Sequence, residues 1–211
     1  MTVLPRFSPL LGKARVIPVI TLDRVEDAVP LARALQAGGI DVVEVTLRTD
    51  AALRGCEAIA RECPDLVLGI GTVLTASQIG EARDAGAHFL VTPGTSEKLG
   101  HAVAASGIPC LPGAATVSEM VALMEMGFHE LKFFPAEAAG GVDYLKSVAG
   151  PLGDLRFCPT GGISPANAGT YLALGNVLCI GGSWMVPKAA ISAGHWDEIT
   201  ALARAAAALG Q

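Results

Sequence analysis

Apolar residues gather into eight short runs, at residues 16–20, 42–47, 66–70, 89–92, 109–111, 131–134, 156–159 and 177–180, rich in β-branched and other strand-forming residues. Runs of this length, bounded by turn residues, are read as buried strands. With Pro18, Glu44, Ile70, Val91, Leu111, Lys132, Cys158 and Cys179 as markers, they recur at intervals of 20 to 26 residues. The segments between them carry helix signals. Asp23 with Glu26, Thr75 with Gln78 and Thr116 with Glu119 have capping-box spacing, and Ser164-Pro165 sets a cap before a proline at the first helical position. Several segments end in glycine, at Gly38-Gly39, Gly86, Gly107 and Gly127, where a left-handed closing residue fits. The pattern predicts a strand followed by a helix, eight times over.

Strict alternation of this kind implies right-handed crossovers and a parallel sheet, either open and doubly wound or closed. Eight units favour closure. So do the polar residues on one face of several strands, which a sheet covered by helices on both sides would hold poorly. The expected fold is therefore α/β, a (β/α)8 TIM barrel forming a single domain over residues 1–211. Residues 7–13 are expected to form a short helix before the first strand, a lid over the barrel bottom, and residues 197–209 the final helix.

Composition agrees. Of 211 residues 51% are hydrophobic but only 5% aromatic, so the core must be built from Ala, Val, Leu and Ile, with 25 glycines at close contacts and turns. Net charge is −5 and the 15 Lys and Arg are scattered, which argues against nucleic acid as a partner. Charges, Gly or Pro interrupt every apolar stretch before it reaches membrane-span length, and no membrane association is expected. The first 15 residues hold three basic residues and two prolines without the continuous apolar segment of a secretory signal, so a cytoplasmic location is expected. Five cysteines without a CxxC spacing sit mostly in apolar surroundings and are expected to be reduced core residues. His88, His101, His129 and His195 are isolated in sequence, so neither a metal nor another cofactor is expected.

The candidate chemistry centres on Lys132, one ammonium within the apolar run Glu130-Leu131-Lys132-Phe133-Phe134-Pro135. Burial disfavours the charged amine and favours the neutral nucleophile that imine chemistry needs. A snorkelling lysine or an ion pair with Glu130 is the plainer alternative. Side chains alternate along a strand, so in Val42-Val43-Glu44-Val45-Thr46-Leu47-Arg48 the residues Glu44, Thr46 and Arg48 share the face opposite Val43, Val45 and Leu47. The same alternation turns Glu130, Lys132 and Phe134 inward, so Glu44, Arg48 and Lys132 are expected to meet at the barrel axis. A carboxylate there can carry protons for the amine, and a guanidinium can grip a substrate carboxylate. A purely structural ion network is the alternative, at a cost that buried charges seldom repay.

Two glycine pairs follow the last strands, Gly161-Gly162 and Gly181-Gly182-Ser183. Loops after strands 7 and 8 are the usual phosphate cradle of this barrel, and glycine lets amides approach an anion. Gly71-Thr72 and Thr92-Pro93-Gly94 are expected on the same rim. The Thr72 hydroxyl has either a carboxylate to bind or a turn to stabilise.

At these residues the chain resembles the KDPG/KHG aldolase family of class I, lysine Schiff-base enzymes. The likeness rests on Val42-Val43-Glu44-Val45-Thr46-Leu47-Arg48-Thr49, Gly71-Thr72-Val73-Leu74, Lys132-Phe133-Phe134-Pro135-Ala136-Glu137, Arg156 to Pro165 and Gly181-Gly182-Ser183-Trp184, and runs from about Val16 onward. The resemblance implies cleavage of the phosphorylated 2-keto-3-deoxy sugar acid 2-dehydro-3-deoxy-6-phosphogluconate to pyruvate and glyceraldehyde 3-phosphate, in the Entner-Doudoroff pathway, by a homotrimer. It implies an imine on Lys132, proton transfer by Glu44, and carboxylate binding by Arg48 and Thr72. It places Pro93, Phe134 and Thr160 in the pocket, and Gly161, Gly162, Gly182 and Ser183 at the phosphate. Aldolases for 4-hydroxy-2-oxoglutarate or 2-dehydro-3-deoxy-6-phosphogalactonate share the pyruvyl half. More distant readings are a sugar-phosphate epimerase or isomerase, with Glu44 as base, and a non-catalytic sugar-phosphate binder.

Overall fold

The computed structural model describes residues 4–209. Its strands are β1 (Val16–Ile20), β2 (Val42–Thr46), β3 (Val67–Gly71), β4 (Phe89–Val91), β5 (Cys110–Leu111), β6 (Gly113–Ala114), β7 (Glu130–Phe133), β8 (Arg156–Pro159) and β9 (Ile180–Gly182). Every ladder is parallel: six strands pair in the order β5-β4-β3-β2-β1-β9 and three in the order β6-β7-β8. This is an α/β fold with a curled parallel sheet.

The fifth predicted run is continued past residue 111 and broken at Pro112, which has no N–H to extend a ladder. Its carbonyl still accepts the Lys132 amide at 3.0 Å, so one stretch of chain serves β4 through β5 and β7 through β6. Between β8 and β9 the contact consists of isolated parallel bridges, Phe157 with Val177 and Thr160 with Gly181.

Alternation along β2 is as the sequence predicts. Val43 and Val45 pack in the large apolar cluster with the helices, while Val42 joins a smaller cluster of Phe7, Leu11, Ile17, Phe89, Val91, Leu111, Cys158 and Cys179. That second cluster lies on the opposite face of β2 from Val43 and Val45. The short helix Ser8–Leu11 closes it: the Phe7 ring lies 4.7 Å from that of Phe89, and buried Glu130 accepts the Phe7 and Ser8 amides at 2.6 and 3.0 Å. The predicted lid is present, and Glu130 is its anchor rather than the partner of Lys132. The last helix, Trp196–Ala208, also lies where it was expected.

Caps at Thr75 and Thr116 form with Gln78 and Glu119, and Gly39, Gly86, Gly107 and Gly127 all have positive φ. Two expectations are corrected. Asp23 and Glu26 cap nothing: a 3-10 turn at Val25–Asp27 precedes the helix Ala28–Ala37, and Asp23 instead pairs with Lys188 at 2.7 Å. The last strand is Ile180–Gly182, later than residues 177–180, so Gly181 and Gly182 are strand residues and not a turn after it. All five cysteines are buried and free. Burial pushes the Cys56 thiol up to about 12, and the Cys110 thiol is also pushed well up by burial, with the Glu44 charge adding to it. No helix among the described residues is long and apolar enough to cross a membrane.

Candidate active site

The strands lift a polar layer above the apolar one. Glu44 and Lys132 are 4% and 3% exposed, and Lys132 Nζ lies 3.1 Å from Glu44 Oε1 and 3.5 Å from Oε2. Both project inward because each is the alternate residue of a strand whose neighbours face the helices: Val43 and Val45 for Glu44, Leu131 and Phe133 for Lys132. A charged pair in such a place is tolerated because each charge neutralises the other, and removing either would strand its partner. The Phe134 ring stands 5.3 Å from Nζ and walls that side.

Room for the carboxylate comes from Gly71. A Cβ there would lie 2.0 Å from Glu44 Oε1, so only glycine fits. The next residue, Thr72, has φ +58°, a left-handed conformation that a β-branched residue adopts only under constraint. Strain of this kind concentrates where a side chain is aimed for a purpose. Thr92 braces the neighbouring rim: its hydroxyl meets Thr95 at 2.7 Å and accepts the Gly113 amide at 2.9 Å. Half-buried Pro93 follows it.

Arg48 departs from expectation. Strand β2 ends at Thr46, and the Arg48 amide turns back to the Thr46 carbonyl at 2.8 Å, so inward alternation stops before Arg48. The side chain is exposed on the rim and, among the described residues, has no side-chain hydrogen bond or ion pair with Glu44 or Lys132. The three charges therefore do not meet at the axis. A buried amine–carboxylate pair lies below and a guanidinium with no such partner above. Thr46 fixes that strand end by donating to the Ile20 carbonyl at 2.8 Å.

Thr160 is 6% exposed, and its Oγ1 has no hydrogen-bond partner among the described residues. A buried hydroxyl left unpaired is costly, and it marks a place where a bound molecule would complete the bonding. Gly161 and Gly162 follow with φ +103° and +80°, left-handed values that glycine adopts freely and that suit a turn whose amides can approach an anion. Ser183 is exposed just beyond Gly182. Gly182 itself is packed under Trp184, whose ring a Cβ would strike at 1.9 Å.

One pair escaped the sequence reading. The hydroxyl of fully buried Tyr171 donates a hydrogen bond to Glu137 Oε1. Burial, then the Glu137 hydrogen bond and charge, push the Tyr171 hydroxyl well up, which keeps it a neutral donor. Glu137 lies at the end of the Lys132 motif, but nothing local in sequence points to a tyrosine 34 residues later.

Arranged in this way, the site can form an imine at a shielded amine, pass protons through an adjacent carboxylate, and hold anions at two rims. A family model described as KDPG and KHG aldolase matches residues 8–202. A KHG/KDPG aldolase of Escherichia coli (strain K12) is 53% identical over 197 residues, spanning 93% of this chain and 92% of the relative. The crystal structure of a KDPG aldolase from Legionella pneumophila, with pyruvate captured as a covalent carbinolamine intermediate, superposes with a TM-score of 0.92 at 46% identity, covering 94% of this chain and 96% of that one. A 2-keto-3-deoxy-6-phosphogluconate aldolase of Zymomonas mobilis with 3-phosphoglycerate gives a TM-score of 0.89 at 42% identity, covering 97% and 96%.

Proposed function

The chain belongs to the KDPG and KHG aldolase family, and from that premise we propose that it cleaves 2-dehydro-3-deoxy-6-phosphogluconate to pyruvate and glyceraldehyde 3-phosphate through an imine on Lys132. The observation that carries this reading is the buried Lys132 Nζ, 3.1 Å from the Glu44 carboxylate. Glu44 takes a proton from the amine, whose lone pair then attacks the C2 carbonyl. In the adduct a proton moves from nitrogen to the alkoxide to give the carbinolamine, and the proton returned from Glu44 lets the carbinolamine hydroxyl leave as water, forming the iminium. When the C3–C4 bond breaks, its electrons flow into the iminium to give an enamine, and the C4 hydroxyl proton passes to Glu44. The aldehyde departs, Glu44 delivers its proton to C3, and water hydrolyses the iminium to pyruvate and the Lys132 ammonium. Atoms and charges return to their start.

The other site residues divide the substrate between them. Arg48, aided by Thr72, holds the carboxylate with paired hydrogen bonds. Thr160, Phe134 and Pro93 line the middle, with the unpaired Thr160 hydroxyl available to a substrate oxygen. Gly161, Gly162, Gly182 and Ser183 take the phosphate. No metal or other cofactor enters this scheme. The β8–β9 bridges and the shared β5–β6 stretch support one closed (β/α)8 barrel, within a single domain. We place the protein in the cytoplasm and the Entner-Doudoroff pathway, and infer a homotrimer. Leu74 and Val117, exposed apolar residues after β3 and β6, are candidates for its contact surface.

Borohydride reduction in the presence of pyruvate should add the mass of a reduced pyruvyl adduct to Lys132, and turnover should survive chelators. An unmodified Lys132 alongside chelator-sensitive turnover would defeat the proposal. Lys132→Arg separates imine chemistry from a charge-only epimerase or isomerase, because arginine keeps the charge and cannot form the imine. A second reading, cleavage of 4-hydroxy-2-oxoglutarate, is favoured by the E. coli relative's double name. Comparing both substrates on one preparation decides it.

A further inference from the structure

Deepening the phosphate-binding part of the reading above, on which it rests, we propose that Tyr171 and Glu137 are positioning residues that hold the Gly161–Gly162 turn open for the substrate phosphate. Neither residue is part of the cradle itself. Tyr171 lies near the end of the helix Pro165–Leu172 that follows the turn, while Glu137 lies in the turn after β7. Their hydrogen bond ties the two segments together from behind.

Glu137 touches the glycine turn in two ways. Its amide donates to the Gly161 carbonyl at 3.1 Å, and a Cβ on Gly162 would lie 2.6 Å from its Cγ. The Glu137 side chain is thus the floor beneath Gly162. On the other side, Asn167 Nδ2 donates to the Gly162 carbonyl at 3.2 Å. Both glycine carbonyls are therefore bonded to the protein, which leaves the amide side of the turn for an anion. The Tyr171–Glu137 bond also passes close to Gly141, where a Cβ would sit 3.1 Å from the Tyr171 hydroxyl oxygen and 3.2 Å from Glu137 Oε1. That glycine has φ +59° and no side chain to intrude.

Electrostatics gives the arrangement its consequence. A carboxylate free to rotate beside a phosphate cradle would repel the ligand. Tyr171 holds Oε1 by its hydroxyl, fixing the Glu137 rotamer under the turn. Without that hydroxyl, Glu137 gains freedom and the turn loses its floor. The cost should fall on phosphate recognition and spare imine chemistry at Lys132, whose Nζ is paired with Glu44 on β2.

The test is Tyr171→Phe in the full chain, with Glu137→Gln as the conservative partner. In Y171F the KM for 2-dehydro-3-deoxy-6-phosphogluconate should rise about five- to tenfold with kcat changed less than about twofold. Cleavage of unphosphorylated 4-hydroxy-2-oxoglutarate and pyruvate trapping on Lys132 should stay at wild-type levels. Glu137→Gln, whose amide oxygen still accepts the tyrosine hydroxyl, should keep a wild-type KM. Equal loss on both substrates, or no change on either, would overturn the positioning role. Titration of 3-phosphoglycerate into the wild type and Y171F supplies a readout that does not depend on turnover. If no keto acid is cleaved and Lys132 is never trapped, the aldolase reading fails, yet weaker 3-phosphoglycerate binding by Y171F still supports the positioning role and equal binding overturns it.

Discussion

The Glu44 carboxylate rests against the bare Cα of Gly71: a Cβ at that position would lie 2.0 Å from Oε1 and 2.7 Å from Cγ and Cδ. Strands β2 and β3 pair with Glu44 opposite Gly69, so Gly71 sits beyond that partner, beside the end of the acid's side chain. Adding one methyl group should displace the carboxylate without touching Lys132. Gly71→Ala should therefore lower kcat by about 10²-fold or more, as expected for a misplaced proton-transfer group. Glu44→Gln should lower it by about 10²- to 10⁴-fold. Both variants should still yield the reduced adduct on Lys132 after prolonged incubation with pyruvate and borohydride. Full activity in Gly71→Ala would show that the acid need not stay where it is.

The inward faces of β2 and β7 follow from a period of two with a single charge among apolar residues, so the meeting of Glu44 and Lys132 was legible. The fate of Arg48 was not, because it depends on β2 ending at Thr46 and on the Arg48 amide folding back. Glycine hid the last strand: Gly181 pairs with Ile17 because it lacks a Cβ that would reach within 2.3 Å of Thr160 Oγ1, and glycine reads in sequence as a turn. Asp23 matched a cap by spacing, but a 3-10 turn intervened and Lys188 claimed its carboxylate. The Tyr171–Glu137 bond joins distant segments, and no periodicity encodes it.

Thr160 carries a buried hydroxyl that bonds to nothing in the protein among the described residues. Replacing it with valine removes the unpaired oxygen while keeping the shape. Because an unsatisfied buried polar group costs about 1–3 kcal/mol, Thr160→Val should be at least as stable as the wild type by urea unfolding, and about 1 kcal/mol more stable if the oxygen is dry. The same change should reduce kcat/KM about tenfold by deleting a substrate hydrogen bond. Lower stability together with unaltered kinetics would indicate that the hydroxyl serves the fold.

Glu119 offers a pH-dependent test away from the site. The Ala115 amide, followed by the Thr116 amide and hydroxyl, holds its carboxyl below the ordinary value of about 4.5, against a smaller opposing effect of burial. Its Oε2 accepts those amides at 2.8 and 2.9 Å at the start of the helix Val117–Glu125. A carboxyl whose folded value is depressed contributes stability at neutral pH and loses it as the pH falls through 4.5 toward the folded value. Wild type should therefore melt above Glu119→Gln at pH 7, with the gap closing in acid below about 4.5. A gap that is constant from pH 7 to pH 3 would rule out the charge as its source.

Thr72 sets stability against binding at a single residue. Its φ of +58° places a β-branched side chain in the left-handed region, at a cost of about 1–2 kcal/mol. Glycine adopts that conformation freely, so Thr72→Gly should relieve the strain and raise the unfolding midpoint, less what glycine adds to the entropy of the unfolded chain. It also deletes the hydroxyl assigned to the substrate carboxylate. The KM for both keto acids should rise together, because each presents the same pyruvyl end, while Y171F should separate them. A Thr72→Gly enzyme that is less stable yet binds both substrates normally would mean that the hydroxyl stabilises the rim turn and has no part in carboxylate recognition.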